Sequence, residues 1–291
     1  MPKVVDNVQL SDLIWKMRVE VPRLVAKAKA GQFVIIRVDE QGERVPMSIA
    51  GLDRDNGLLT IIYQVVGKTS GSMTTIPAGG ELKDCVGPLG VPSHTDNWGT
   101  ACVVGGGIGI APIYPIAQAW KEAGNKVITI IGSRNKDLLF YEEEHKAVAD
   151  ELHICTDDGS YGHHGFVSDV LKKLLDDKVG IKMIMAIGPV PMMRVVANLT
   201  EPYEVPTWVS LNPLMVDGTG MCGGCRVQVG NETKFACVDG PDFDGHKVDF
   251  DLLNKRLGAY KEQEKAAMKR WIDNPGCNLA KAVAEFKYPG E

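Results

Sequence analysis

The sequence predicts a small β-barrel joined to an α/β domain with a parallel sheet, followed by a small cysteine-rich module and a C-terminal helix. Residues 1–95 hold short strand-like runs divided by turn formers. Residues 96–206 alternate strand-length apolar runs with helix-length stretches, which implies βαβ units on a parallel sheet. Residues 207–245 are rich in glycine and carry three clustered cysteines, and residues 246–291 turn helical.

In the first region Lys16–Val21 and Gln32–Val38 alternate, and Leu58–Val66 is rich in β-branched residues. Gly31, Glu40-Gln41-Gly42-Glu43, Asp55-Asn56-Gly57 and Pro77-Ala78-Gly79-Gly80 lie between them. Strands this closely spaced suit a barrel. In the second region Ala101–Val104, Val127–Ile131, Leu152–Thr156 and Met183–Ile187 are expected strands. Ile113–Ala123, Tyr141–Asp150 and Phe166–Leu175 are expected helices. In the last region Leu253, Leu257, Tyr260, Ala267 and Trp271 fall at helical spacing, with Asp249 and Asp251 at the start and Lys269 and Arg270 near the end. That charge order suits the helix dipole. Pro275-Gly276 is expected to stop the helix, whose apolar face packs on its own domain or docks a partner.

The 291 residues carry a net charge of −5, which gives no basic excess for nucleic acid. No run approaches the roughly 18 apolar residues of a membrane helix, and MPKVVDNVQL has no apolar signal core. A cytoplasmic protein with reduced thiols is expected. Seven cysteines, an odd number, disfavour a disulfide framework.

The strongest motif is Asp217-Gly-Thr-Gly-Met-Cys222-Gly-Gly-Cys225 followed by Cys237, or D-x4-C-x2-C-x11-C. Plant-type two-iron ferredoxin sites use C-x4-C-x2-C with a distant fourth cysteine, and here Asp217 stands at the first ligand position. A hairpin through Gly230-Asn231-Glu232 would return Cys237 to Cys225. Gly218, Gly220, Gly223 and Gly224 would let backbone curl around a cluster. A zinc site of three thiolates with Asp217 or His246 is the competing reading, and Asp217 as a mere turn residue is another.

The barrel holds Arg44-Val45-Pro46-Met47-Ser48-Ile49, then Ile62-Tyr63-Gln64, then the small-residue loop Gly67-Lys68-Thr69-Ser70-Gly71-Ser72. Flavin domains of the ferredoxin–NADP reductase type carry a similar arginine and hydroxyl on one strand. An arginine fork suits a pyrophosphate, a Ser48 hydroxyl suits the reactive edge of an isoalloxazine, and the loop can offer N–H groups to phosphate. Arg44 lies one residue earlier than that family's arginine, where Val45 stands here. A surface arginine and a strand-facing serine are the plain alternative.

In the α/β domain the loop Gly105-Gly106-Gly107-Ile108-Gly109-Ile110-Ala111-Pro112 follows a strand and opens a helix, where backbone can approach a pyrophosphate. Gly188-Pro189-Val190-Pro191-Met192-Met193 ends a later strand and resembles the reductase loop beside the nicotinamide, although both methionines suit a core equally. Ser133 and Arg134 stand where such a sheet meets the adenosine ribose, and Arg134 favours NADP. Asp157 and Asp158 begin another strand-end loop that could touch ribose or simply be solvated. His163 and His164 are expected to be loop residues without a catalytic role.

The order of these motifs resembles the small subunit family of NADH-dependent reduced ferredoxin:NADP oxidoreductase, also called the sulfide dehydrogenase β subunit family. RVPMS and the aspartate at the first ligand position are the most specific parts, and the likeness covers residues 1 to about 260. The dihydroorotate dehydrogenase electron-transfer subunit is a cousin with four cysteines. The resemblance implies FAD in the barrel, a [2Fe–2S] cluster on Asp217, Cys222, Cys225 and Cys237, and NAD(H) at the glycine loop. NAD(H) is favoured over the NADP(H) that Arg134 alone would suggest. The resemblance also implies a larger partner subunit with another FAD and [4Fe–4S] clusters, in a complex serving ferredoxin and bifurcating electrons. No protein acid–base residue is expected. Alternatives are an electron-transfer subunit of another NAD(P)H-dependent oxidoreductase, a stand-alone diaphorase, or a redox-inactive regulatory subunit with zinc.

Overall fold

The computed structural model describes residues 1–273. The expected stop at Pro275-Gly276 and Cys277 lie outside the described residues.

The barrel is made of β1 (Lys3–Ser11), β2 (Ile14–Glu20), β3 (Phe33–Arg37), β4 (Val45–Ser48), β5 (Gly51–Asp53), β6 (Leu58–Gln64) and β7 (Asp84–Leu89), with two short helices, α1 (Pro22–Val25) and α2 (Lys68–Thr74). Two antiparallel sheets face each other, in orders β1-β2-β6-β5 and β4-β3-β7. The period of two divides β6. Leu59, Ile61 and Tyr63 enter the barrel core, while Ile62 turns the other way and joins the core of the α/β domain. β1 had no clear alternation in the sequence, yet it pairs with β2 along its length.

The second sheet contains β8 (Thr100–Gly106), β9 (Lys126–Ser133), β10 (Glu151–Thr156), β11 (His163–His164), β12 (Met183–Ile187), β13 (Thr207–Ser210) and β16 (Asp242–Asp244). Its order is β11-β10-β9-β8-β12-β13-β16, parallel except for the last pair. Every residue of β12 is buried, as expected of a central parallel strand covered on both faces. Helix α3 (Ile110–Glu122) covers one face through Ile113, Ile116, Ala117 and Trp120. Pro112 is tolerated in its first turn, where the missing N–H has no intrahelical partner. Helix α4 (Glu142–Val148) packs beside α3. Helices α5 (Val167–Asp176) and α6 (Val190–Thr200) cover the opposite face.

The cysteine-rich segment hangs from this sheet. The expected module boundary at 207 is moved inward, because β13 and β16 are sheet strands pairing Trp208 with Asp244 and Ser210 with Asp242. Between them stands the hairpin of β14 (Arg226–Val229) and β15 (Glu232–Phe235). The C-terminal helix is not continuous. Helix α7 (Phe250–Leu257), whose N-terminal Leu252 N–H is accepted by Asp249, gives way to a 3-10 turn at Gly258–Tyr260 before α8 (Lys261–Ile272). Glycine is a poor helix interior residue, and the break falls there. The apolar stripe is divided: Leu253 packs under the α/β sheet and hairpin, whereas Met268 and Trp271 pack on the barrel. No helix among the described residues is long and apolar enough to cross a membrane.

Candidate functional site

A cavity of about 600 Å³ lies where barrel, α/β domain and cysteine-rich segment meet. Cofactor sites commonly measure roughly 300–1,000 Å³. From the barrel come Pro46, Met47, Ser48, Ile62, Tyr63, Gln64, Thr69 and Ser70, eight of the residues expected at a flavin. From the α/β domain come Gly109, Pro112 and Gly188. The remaining expected residues, Arg44, Gly71, Ser72, Gly105, Gly106, Gly107, Ala111, Ser133, Arg134, Asp157, Pro189 and Met192, are not in its wall.

Several of these absences have visible causes. Arg44 is turned toward the cysteine-rich segment, where Nε donates to the Val216 carbonyl at 2.8 Å and Nη2 to the Asp217 carbonyl at 3.4 Å. In this structure its guanidinium is thus engaged with the cysteine-rich segment and is not in the cavity wall where a pyrophosphate partner was expected. Its neighbour Glu43 reaches the other way and accepts a hydrogen bond from Thr69 at 2.7 Å. Gly71 faces the Trp271 ring. The Tyr63 side chain points into the barrel core and donates to the Asn7 amide oxygen at 2.9 Å, and burial pushes its phenol well up.

The glycine loop is built by close packing. A Cβ at Gly109 would stand 2.0 Å from the Ile187 carbonyl, and one at Gly106 would stand 2.3 Å from the Met192 sulfur. Met192 is thus a packing residue over the loop. The loop leads into a 13-residue helix, α3, whose first turn offers N–H groups to an anion. At the far strand ends, Ser133 donates to the Asn135 carbonyl. Burial raises the Asp157 carboxyl above its ordinary value, and the Arg134 charge partly reverses this. Those two residues therefore share one strand-end corner. His163 and His164 are exposed on the sheet-edge strand β11, not in a loop.

In the cysteine-rich segment the hairpin brings Cys225 and Cys237 to a sulfur–sulfur distance of 3.2 Å, both buried. The Ala236 N–H donates to the Cys225 carbonyl and fixes that end. Gly218, Gly220 and Gly223 have positive φ, so the loop from Asp217 curls as no chain of larger residues would readily do. N–H groups of Gly224 and Asp217 point at the exposed Cys222 sulfur and hold its thiol below the usual value. The Gly220 N–H points at Cys237, whose thiol burial nonetheless pushes up to about 12. Soft sulfur donors surrounded by backbone N–H groups suit an iron–sulfur cluster. Among the described residues, however, no three His, Cys, Asp or Glu side chains are already gathered closely enough to hold a metal ion. The Asp217 carboxylate accepts from the Thr219 N–H at 3.0 Å, the Met221 N–H at 2.9 Å and the Thr219 hydroxyl. These bonds hold it below the ordinary carboxylate range. His246 lies elsewhere, against the Thr200 hydroxyl at 2.9 Å, so the zinc alternative through His246 finds no support.

Residues that the sequence reading missed are Glu43, Lys68 and Ile108, then Asn212 and Met215 before the cluster loop, and Glu264 and Ala267 on α8. Only Lys68, inside the small-residue loop, and Ile108, inside the glycine motif, carried a local signal.

Residues 103–198 match the oxidoreductase NAD-binding domain family, and residues 212–249 match the iron–sulfur cluster binding domain of dihydroorotate dehydrogenase B. The chain is 44% identical over 274 residues to a dihydroorotate dehydrogenase B (NAD(+)) electron transfer subunit homolog from Thermotoga maritima, covering 94% of this chain and 96% of that one. It is 36% identical to the dihydroorotate dehydrogenase B (NAD(+)) electron transfer subunit of Fusobacterium nucleatum, over 85% of this chain and 97% of that one. Among solved structures, a chain of the NADH-dependent reduced ferredoxin–NADP oxidoreductase superposes with a TM-score of 0.89 at 43% identity, covering 94% and 98% of the two chains. A ferredoxin NADP+ reductase from Neisseria gonorrhoeae with bound FAD and NADP shares the fold, with a TM-score of 0.58 at 15% identity.

Proposed function

The chain belongs to the family of dihydroorotate dehydrogenase B electron-transfer subunits, and from that premise we propose that it links NAD(H) to a larger oxidoreductase partner through FAD and a [2Fe–2S] cluster. One observation carries the reading: a single cavity is walled by the barrel's Ser48 and Gln64, the glycine-loop end of the α/β domain, and Asn212 and Met215 just before the cluster loop. Three modules therefore converge on one place. When bound, a flavin exchanges a hydride with a nicotinamide and releases electrons singly, and an iron–sulfur cluster carries them one at a time.

The protein's own residues supply position. Ser48 and Gln64 provide a hydroxyl and an amide at the cavity wall, suited to the polar edge of an isoalloxazine. Ile108, Pro112 and Ile187 supply apolar walls that limit water at the seam. The first turn of α3 and Gly188 bound the nicotinamide side. Cys222, Cys225 and Cys237 are the proposed thiolate ligands, with Asp217 as the fourth. Arg44 fixes the cluster loop to the flavin strand by its two bonds to Val216 and Asp217. No side chain need move a proton for hydride exchange, and no catalytic acid or base is assigned.

The kinship to electron transfer subunits supports a larger partner subunit. The likeness to a chain of the NADH-dependent reduced ferredoxin–NADP oxidoreductase, a structure concerned with flavin-based electron bifurcation, supports a ferredoxin-linked complex and bifurcation. It also supports NAD(H) at this site despite Arg134. Anaerobic purification with cofactor analysis tests the proposal. About one FAD and about two iron atoms with two acid-labile sulfides per chain are expected. Stoichiometric zinc in place of iron would instead establish the redox-inactive alternative.

A further inference from the structure

Helix α7 packs against the hairpin that brings Cys225 to Cys237. Its Leu253 is buried in one core with Cys225, Val227, Ala236 and Cys237. Arg256 stands three residues further along the same helix, on the same face. Its Nη2 donates to the Gly224 carbonyl at 3.0 Å, and its Nε is buried with no hydrogen-bond acceptor among the described residues. The Gly224 N–H in turn points at the Cys222 sulfur, 3.5 Å away. Gly224 thus joins a guanidinium on one side to a proposed thiolate ligand on the other. A half-buried cation with an unmet N–H is unfavourable unless a negative charge lies near it. Arg226 also comes close, since a Cβ at Gly223 would stand 3.1 Å from its Nη1, but Arg226 is exposed and water screens it more.

We propose that Arg256 is a positioning residue of the cluster site, which fixes the Cys222–Cys225 end of the loop and whose charge makes the cluster easier to reduce. The inference rests on the [2Fe–2S] reading of the cysteine-rich segment and adds to it a residue of the C-terminal helix. Arg44 holds the other end of the same loop through the Val216 and Asp217 carbonyls. Three thiolates and a carboxylate leave the site negative, and an added electron makes it more so. A fixed cation nearby offsets that charge. Net charge and hydrogen bonds to sulfur are among the factors that set the potential of such clusters. Arg256 bears on both, because its charge rests on the Gly224 carbonyl and the same residue donates its N–H toward Cys222.

The test is a redox titration of the full chain purified without oxygen, followed by the paramagnetic signal of the reduced cluster, for the unaltered protein, Arg256→Gln and Arg256→Lys. Glutamine keeps an N–H donor and loses the charge, whereas lysine keeps both. Arg256→Gln should make reduction at least about threefold less favourable, a midpoint potential about 28 mV more negative at about 59 mV per tenfold. Arg256→Lys should stay within about twofold of the unaltered chain. A residue that only packed α7 on the hairpin would not divide the two variants by charge. A smaller fall in Arg256→Gln would overturn the inference, as would a fall in Arg256→Lys as large as in Arg256→Gln. If Arg256→Gln holds no iron, Arg256→Lys decides: iron at the unaltered potential supports the inference, and loss of iron there too overturns it. An unaltered chain without iron would overturn the cluster reading itself, a result distinct from the others.

Discussion

The Asp217 carboxylate has two claims on it: its own loop, through Thr219 and Met221, and the cluster proposed for that loop. Substitution separates them. Asp217→Asn keeps an acceptor for the loop N–H groups but is a weaker ligand, so it should lose most of its iron while the chain stays folded, read by iron content and thermal unfolding. Asp217→Cys should keep a two-iron cluster with an altered visible spectrum. An Asp217→Asn protein with full iron and an unchanged spectrum would leave Asp217 a turn residue. Arg44→Ala should lower the iron-to-flavin ratio severalfold and leave flavin content near normal, because its fork lies on the Val216 and Asp217 carbonyls. Loss of flavin with iron retained would return Arg44 to the pyrophosphate. The three cysteines proposed as ligands stood out in the sequence since their spacing is a local pattern. The Arg44 contact was not, because its partner Val216 is 172 residues away and no short-range pattern encodes that meeting.

In the proposed reading, nicotinamide binding depends on the glycine loop and α3. Gly109→Ala would drive a Cβ into the Ile187 carbonyl, and overpacking of that kind costs about 1–3 kcal/mol. The expected outcome is a lowered melting temperature together with weakened NADH binding, measured by thermal unfolding and by NADH titration. Normal affinity and stability would show that the strand end yields freely. The sheet and its helices were readable because apolar runs such as Met183–Ile187 have strand length and stretches such as Phe166–Leu175 have helical period. The short strands β13 and β16 were not, since 4 and 3 residues carry too little pattern to reveal a partner across the cluster loop. The division of the C-terminal helix at Gly258 was likewise hidden, because Leu253 and Trp271 keep a helical spacing while packing on different cores.

A buried polar seam joins the end of the barrel to the α/β sheet. Asp242 on β16 accepts from Ser93, which follows the barrel, and its strand pairs with β13 at Ser210; burial pushes its carboxyl up to about 6. A carboxyl raised in the folded state binds protons that the unfolded chain has released, so between about pH 4 and pH 6 its contribution lowers stability as pH rises. Asp242→Asn should therefore be more stable than the unaltered chain at pH 7.5 by about 1–3 kcal/mol, with a smaller gap at pH 5, as urea unfolding would record. An equal gap at both values would mean that Asp242 does not titrate there. At this scale the order of barrel, α/β domain and cluster segment was legible, but the shared cavity was not, because it is formed by packing among segments as distant as Ser48 and Ala267. The most direct test of the central claim is an anaerobic NADH titration of the purified chain, followed by visible absorption. Bleaching of the flavin and iron–sulfur bands together is the predicted result. If both cofactors are present and NADH bleaches neither, the chain does not connect a nicotinamide to a cluster.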